Sequence, residues 1–274
     1  ATVFKVADRD FSYSFFERRA ISDETQGYFD PQNVQNSVLA VAGRIEREEI
    51  IRKMARDQGL TITDDELNQA IAQDLNAPPN ASRADVATLL HADLLRIKLP
   101  LADYEDIIRA RVAQQKIMDK LEAPMPAEAD QVDVFLIETA TQADAIQAKQ
   151  RIDNGEKFED VAKAVSTDDS KDNGGDKGWT PKGILPKEVE DAAFSKTGLS
   201  DVIESGSGFY LIDVRGHENR ALSDTQKAQL AQQQFDDMLV KTATDAPVVN
   251  LITNGQLQSI GDKLNALAAA TARG

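Results

Sequence analysis

Residues 166–179 read STDDSKDNGGDKGW and form the most distinctive loop of this chain. The segment holds three glycines, which allow backbone angles that other residues resist. An apolar helical turn leads into it, formed by Phe158, Val161, Ala162 and Val165. A strand-like run, GFYLIDV at residues 208–214, follows it. The segment 132–218, with this loop at its centre, is the part of the chain around which the rest is organised.

Several landmarks flank the loop. They are a strand at residues 132–137, a helix ending at Gly155, Lys157-Phe158, Ala162-Lys163 followed by Ser166, the run GGDKGW, EDAAF at 190–194 and the closing GFYLIDV. In this order and spacing they resemble the parvulin-type peptidyl-prolyl isomerases, and together they are far more specific than one glycine run. The resemblance implies an α+β fold with a parvulin-like four-stranded antiparallel sheet and surrounding helices, as a PPIase domain at residues 128–219.

The composition indicates a negatively charged, folded protein. The chain has 274 residues, enough for two domains, and 46 acidic side chains against 31 basic ones. Binding to nucleic acid depends on clustered lysine and arginine, so the balance of charge disfavours a nucleic-acid partner. Solubility is the plain interpretation of the negative charge.

The sequence also bears on redox chemistry and compartment. It contains no cysteine, which excludes disulfides, thiol catalysis and cysteine-ligated metals. No apolar run approaches the roughly 20 residues that span a bilayer. The chain begins at Ala1, so we expect that a signal peptide or membrane anchor could have preceded it. The resemblance implies an extracytoplasmic protein of the cell envelope or periplasm.

The N-terminal part reads as a short strand followed by helices. Residues 2–6 alternate like a strand, and either Ser12 or Ser14 caps the helix that follows the next turn. The capping box at residues 63–66 opens a later helix, and Gly59 ends the one before it. Apolar spacing of three and four predicts these helices after the first: 34–56, a helix opening at 63–66, 82–98 and 102–121.

The C-terminal part returns to helix. A capping box at residues 223–226 opens a helix, residues 248–252 have a strand pattern, and 256–272 have helical spacing. In the exported foldases that the chain resembles, both chain ends form one helical chaperone domain. The resemblance therefore implies an N-terminal helical chaperone-like part at 1–127 and C-terminal helices at 220–274 that pack on it.

The resemblance also implies a candidate catalytic site, from which two groups are missing. Parvulins place histidines in the first and last strands, and here these positions fall on Val134 and Tyr210. The cysteine-or-aspartate position falls on Asp168, and a small hydroxyl position falls on Ser207. Asp168, Ser207 and Tyr210 are thus the candidate catalytic residues. Because both histidines are replaced, the sequence leaves open whether the chain is an active enzyme.

The proline pocket of the family is only partly kept. The expected substrate-binding residues are Leu185, Val189, Phe194 and Trp179, although residues of these types more often form the core or the wall of a pocket than contact a substrate directly. Lys177 replaces the usual leucine, and we expect its side chain to point outward because a charged group in an apolar cup costs free energy.

The acidic loop has simpler interpretations. Asp168 and its neighbour Asp169 are common turn-forming residues. The loop lacks the central glycine and terminal glutamate of an EF-hand, so we expect no metal and no cofactor. The histidines of the chain, His91 and His217, fall on no family site position.

The sequence is compatible with three functions. The first is a foldase or chaperone that binds unfolded or proline-containing polypeptides, with isomerase activity weak or lost. The second is an active peptidyl-prolyl cis-trans isomerase that uses Asp168, Ser207 and Tyr210. The third is a non-catalytic scaffold or assembly subunit. We favour the first.

Overall fold

A computed structural model describes residues 1–30, 32–206 and 208–271. The chain divides into two compact units. The first combines both chain ends, Ala1–Asp119 and Phe235–Gly274, and the second is the intervening segment, Lys120–Gln234. Secondary structure is mixed, with antiparallel sheets and helices in keeping with the predicted α+β class.

The first unit is mainly helical. Its helices have apolar positions buried at helical spacing, such as Val38, Ala42 and Ile45. The described helices that begin in this unit or lie wholly within it are α1 (Tyr13–Thr25), α2 (Val34–Asp57), α3 (Asp64–Asp74), α4 (Arg83–Ile97), α5 (Leu101–Glu122) and α10 (Asn254–Thr271). The helix α9 (Asp224–Asp245) begins in the second unit and ends in the first.

Local capping signals set several of these helix starts. Thr63 and Glu66 form the predicted capping box, with the Thr63 N–H donating to Glu66 Oε2 at 2.8 Å. Of the two caps predicted for α1, Ser12 is the one observed, and its hydroxyl accepts from the Phe15 N–H at 3.2 Å. Gly59 follows α2 with a φ of +68°, as expected for a glycine at a helix end.

A small sheet joins the two chain ends within the first unit. Its order is β2 (Arg9–Ser12), β1 (Thr2–Val6) and β8 (Val248–Asn250), all antiparallel. Strands β1 and β8 were predicted from the sequence. The predicted residues 251–252 lie beyond the observed end of β8. The helix α10 packs on α1 and α2, so the last helix of the chain contributes to the N-terminal helical set.

The second unit is built on an antiparallel sheet. Its order is β4 (Asp176–Pro181), β3 (Glu128–Thr139), β7 (Gly208–Ala221) and β5 (Gly198–Leu199), and a short strand β6 (Ile203–Ser205) also pairs with β7. Strand β3 is longer than the predicted residues 132–137, because residues 128–131 and 138–139 also pair with β7. The elements are β3 (Glu128–Thr139), α6 (Gln142–Asp153), α7 (Phe158–Val165), β4 (Asp176–Pro181), α8 (Lys187–Ser195), β5 (Gly198–Leu199), β6 (Ile203–Ser205) and β7 (Gly208–Ala221).

Helices cover both faces of this sheet. On one face, α8 and the preceding loop form the α8-side cluster, whose buried members are Val132, Val134, Leu136, Leu185, Val189, Ala193, Tyr210, Ile212 and Val214. On the other face, α6 and α7 form the α7-side cluster, whose buried members are Ile137, Ala148, Phe158, Val161, Ala162 and Leu211. Successive side chains of a strand point to opposite faces, so β3 and β7 supply both clusters.

Within the described ranges, no helix is both long enough and apolar enough to cross a bilayer.

Candidate functional site

The glycines of the loop are required by its backbone. Gly174, Gly175 and Gly178 have φ values of +70°, +83° and +66°, in the left-handed region that other residues rarely adopt. Gly175 also lies against strand β3: its carbonyl accepts from the Leu136 N–H at 2.8 Å, and a Cβ placed on it would lie 2.5 Å from the Leu136 carbonyl oxygen. The loop is therefore fixed to the sheet by backbone contacts.

Asp168 shapes the start of the loop. Its Oδ1 accepts from the Ser170 N–H at 2.8 Å and from the Ser170 hydroxyl, which is the turn-forming role predicted for an aspartate here. Ser166 lies one step earlier, and its hydroxyl accepts from the Asp168 and Glu138 N–H groups, each at 3.2 Å. These bonds connect the loop to the end of β3.

Lys177 does not point outward, so that prediction was wrong. Its Nζ lies 3.2 Å from Asp168 Oδ1 and 2.7 Å from Asp169 Oδ1, and only 24% of its side chain is exposed. The two carboxylates provide the charge partners that make a partly buried ammonium tolerable. Attraction to Asp168 and Asp169 outweighs the hydration that an outward orientation would have kept.

Asp168 and Lys177 are both held in their charged forms. Burial alone would raise the pKa of Asp168, but the hydrogen bonds from Ser170 and the charge of Lys177 outweigh it and lower that pKa below its ordinary 3.8. Burial likewise opposes the charge on Lys177, and the carboxylates of Asp169 and Asp168 raise its pKa above the ordinary 10.5. Both shifts favour an ion pair at neutral pH.

We predict that this ion pair makes the free energy of unfolding depend on pH in the acid range. Because the folded pKa of Asp168 is depressed, its contribution is complete above the ordinary 3.8 and is lost as the pH falls through the lowered value. The Asp168→Asn variant should be less stable than the wild type at pH 7, and the difference should shrink below about pH 4. Urea unfolding followed at Trp179 across this range tests it; a constant difference would contradict it.

Sequence reasoning missed Glu138, which meets Tyr210 across the sheet. The Tyr210 hydroxyl donates to Glu138 Oε1 at 3.0 Å, and the two residues are directly paired between β3 and β7. The Tyr210 side chain is only 4% exposed. The only available signal was the alternation of β3, which places Glu138 on the same face as Val134 and Leu136.

The predicted pocket residues are mostly core. Leu185 and Val189 share the α8-side cluster, with exposures of 9% and 0%, and Phe194 packs against the edge of that cluster. Val134, at the first histidine position, is also fully buried there. The structure thus brings Leu185, Val189, Phe194 and Tyr210 to one face, as a closely packed layer.

Trp179 lies on the other face of the sheet. It pairs with Asp133, which alternates with Val132 and Val134 of the α8-side cluster. Its ring stacks under the Arg220 guanidinium at 4.3 Å. The structure therefore does not bring Trp179 together with the other predicted pocket residues.

Ser207 and the two histidines, His91 and His217, were also considered from the sequence. Ser207 lies outside the described residues. His217 lies on β7 beside the α8-side cluster: its ring meets Phe194 edge-on with centroids 5.5 Å apart, and its Nε2 is 2.8 Å from Asp130 Oδ1. His91 is exposed on α4. Among the residues that the structure describes, no group of three or more His, Cys, Asp or Glu side chains is arranged to hold a metal ion.

The glycine loop, the antiparallel sheet and the covering helices define a parvulin-type domain. Residues 113–218 match the family described as "PPIC-type PPIASE domain". The chain therefore carries a PPIC-type, or parvulin, PPIase domain.

Longer similarities connect the chain to named folding factors. It is 27% identical over 253 residues to "Foldase protein PrsA" of Geobacillus sp. (strain WCH70), covering 86% of each chain. It is 34% identical over 116 residues to "Chaperone SurA" of Nitrosospira multiformis, covering 40% of this chain and 26% of the relative. The crystal structure of peptidylprolyl isomerase (PrsA) from Bacillus anthracis is 21% identical, covers 81% of this chain and 95% of that chain, and superposes with a TM-score of 0.49.

Proposed function

We propose that this protein is a foldase or chaperone that binds unfolded or proline-containing polypeptides and has weak or no isomerase activity. The relative named "Foldase protein PrsA" is similar over 86% of both chains, and the relative named "Chaperone SurA" is similar over 116 residues, 40% of this chain. Binding of client polypeptides is the function that these names share.

The proposal of weak or absent isomerase activity rests on the residues at the two histidine positions. The two histidine positions hold Val134, which is fully buried, and Tyr210, whose hydroxyl donates to Glu138. Rotation about an X-Pro bond has a barrier of about 18 to 20 kcal/mol, and catalysis requires groups that stabilise the twisted amide more than the planar forms. Neither a buried valine nor a tyrosine engaged by Glu138 replaces an imidazole in that task.

We also propose a domain organisation, a set of polar site residues and a cellular compartment for this protein. We assign the chaperone-like role to a domain made of residues 1–127 and 220–274, and the parvulin role to residues 128–219. Asp168, Ser207 and Tyr210 remain the candidate polar groups of the site. An extracytoplasmic location is supported by the resemblance to exported foldases.

The proposal predicts that the full chain suppresses aggregation of an unfolded client. A chemically unfolded test protein is diluted into buffer with increasing amounts of the chain, and light scattering is recorded. We expect scattering to fall by at least half at equimolar chain. An unrelated folded protein of similar net charge is the control for simple electrostatic effects. Unchanged scattering at a several-fold molar excess would contradict the proposal.

A further inference from the structure

Strand β8 forms an open edge of the small sheet in the first unit. The order of that sheet is β2, β1 and β8, and β8 pairs with β1 over Val248–Asn250. Among the strands that the structure describes, none pairs with the other side of β8. This outer side of β8 is therefore the place where a further strand could join the sheet.

Alternate residues of β8 direct their backbone groups to the outer side. The Pro247 carbonyl accepts an N–H of the β1–β2 turn, and the Leu251 N–H donates to a β1 carbonyl, each at 2.8 Å. Hydrogen-bonded and non-hydrogen-bonded pairs alternate along an antiparallel ladder, so Val249 is the residue between them that bonds to β1. The N–H and carbonyl groups of Val248 and Asn250 therefore point outward. No hydrogen-bond partner of these four groups lies within the described residues.

The side chains along this edge are exposed and mostly apolar. Val248, Val249 and Leu251 are 39%, 40% and 54% exposed. Natural sheet edges are commonly protected from pairing by charged side chains. The strand at the opposite edge, β2, has such charges in Arg9 and Asp10, whereas β8 has none. The β8 edge therefore lacks this protection against pairing with another strand.

The size of the edge and the charge of the chain favour an unfolded segment over a second copy of this protein. A partner strand would cover only three residues of β8, whereas stable interfaces bury about 1,200 to 2,000 Å² in total. Two copies would each carry a net charge of −15 and repel each other. An unfolded polypeptide exposes its own backbone donors and acceptors, so it satisfies the four outward groups in a short, reversible contact.

We propose that the outer edge of β8 binds extended segments of client polypeptides by adding them to the sheet as a further strand. The backbone of Val248 and Asn250 supplies two donors and two acceptors, so binding tolerates many sequences. These two residues pair with the buried Val6 and Phe4, so alternate side chains of the added strand lie on the same apolar face. Segments with alternating apolar residues are therefore preferred. The inference rests on the proposed client-binding function and assigns one of its contacts to β8.

The test uses two short peptides of alternating valine and threonine with a lysine at each end. The second peptide has N-methyl groups on its central backbone amides, which removes its donors but keeps its charge. Each peptide is titrated into the full-length chain, and binding is followed by NMR at the backbone amides of Val248 and Asn250. We expect saturating shifts with the first peptide and at least tenfold weaker binding of the N-methylated one, because two or more hydrogen bonds are lost.

A matched pair of variants tests the same bonds from the side of the protein. Asn250→Pro removes an outward N–H but no bond to β1, and an edge strand tolerates proline where the N–H faces solvent. Asn250→Ala keeps that N–H, and both variants lose the bond from the Ile252 N–H to Asn250 Oδ1 at 2.9 Å. Followed at Val248, affinity for the first peptide should fall about threefold to tenfold in Asn250→Pro and stay within twofold of the wild type in Asn250→Ala.

Three results would overturn the inference. They are equal affinity for the two peptides, equal affinity in the two Asn250 variants, and no response of the Val248 and Asn250 amides to either peptide. Shifts of these amides with chain concentration alone, together with a dimer in sedimentation, would also overturn it, since a second copy would then be the occupant. The aggregation assay is separate: reduced scattering without a response at β8 contradicts the inference alone, and unchanged scattering contradicts the proposed function.

Discussion

Replacing Gly175 by alanine is expected to destabilise the parvulin unit by about 2 to 5 kcal/mol. A side chain at its φ of +83° costs about 1 to 2 kcal/mol for an L-residue. The new Cβ would also lie 2.5 Å from the Leu136 carbonyl oxygen and 3.3 Å from the Ala162 Cβ. Because a backbone atom cannot move aside as a flexible side chain does, the loop must shift from β3, which adds about 1 to 3 kcal/mol.

The chain offers its own probe and a matched control for this prediction. Trp179 is the only tryptophan, so its fluorescence during urea unfolding reports the Lys120–Gln234 unit. Gly178→Ala has a similar φ of +66°, but nothing lies within 4 Å of its added Cβ. That control should cost only about 1 to 2 kcal/mol. Equal losses in the two variants would show that the contact with Leu136 is unimportant.

Replacing Glu49 by alanine is expected to destabilise the helical unit by about 3 to 5 kcal/mol, the usual result of breaking a buried ion pair from one side. Glu49 on α2 is fully buried, and its carboxylate contacts three guanidinium groups. These are Arg52 at 2.8 Å, Arg56 at 3.0 Å and Arg9 of β2 at 3.3 Å. Removal of the carboxylate leaves three cations close together and loosens the attachment of the β1–β2 hairpin to α2.

The free energy of unfolding of Glu49→Ala is measured by circular dichroism at 222 nm during urea unfolding, since most of the helix lies in the helical unit. Glu46→Ala, on the same helix at a partly exposed position, is the control and should change stability by less than about 0.5 kcal/mol. A loss below about 1 kcal/mol for Glu49→Ala would mean that the three arginines find other partners, and would contradict the role given to this carboxylate.

Local signals in the sequence predicted most elements of the fold. Capping residues such as Thr63, glycines such as Gly59, and apolar spacing act over a few residues, so they can be read without the tertiary structure. The parvulin-like segment was predicted from motifs that are close in sequence, and the glycines of its loop have the positive φ values that the motif indicates. The pairing of β8 with β1 was not predicted, because no local pattern specifies which distant strands meet.

The candidate site was harder to predict than the fold. Lys177 was predicted to face outward because its hydration was considered without its charge partners, Asp168 and Asp169, which only the folded loop places beside it. Trp179 was grouped with the pocket because it is close in sequence, but a register shift between β3 and β4 places it on the opposite face. Glu138 was missed because a single acidic residue at the end of a strand carries no distinctive pattern.

We propose that this chain binds clients but lacks efficient prolyl isomerisation. The most direct measurement is the refolding rate of a test protein limited by one cis-proline, recorded with a catalytic amount of the chain and, in parallel, with an active parvulin. We predict less than a twofold acceleration by this chain, together with a higher yield of soluble refolded protein. A tenfold or greater acceleration by the chain, with no gain in yield, would contradict this proposal.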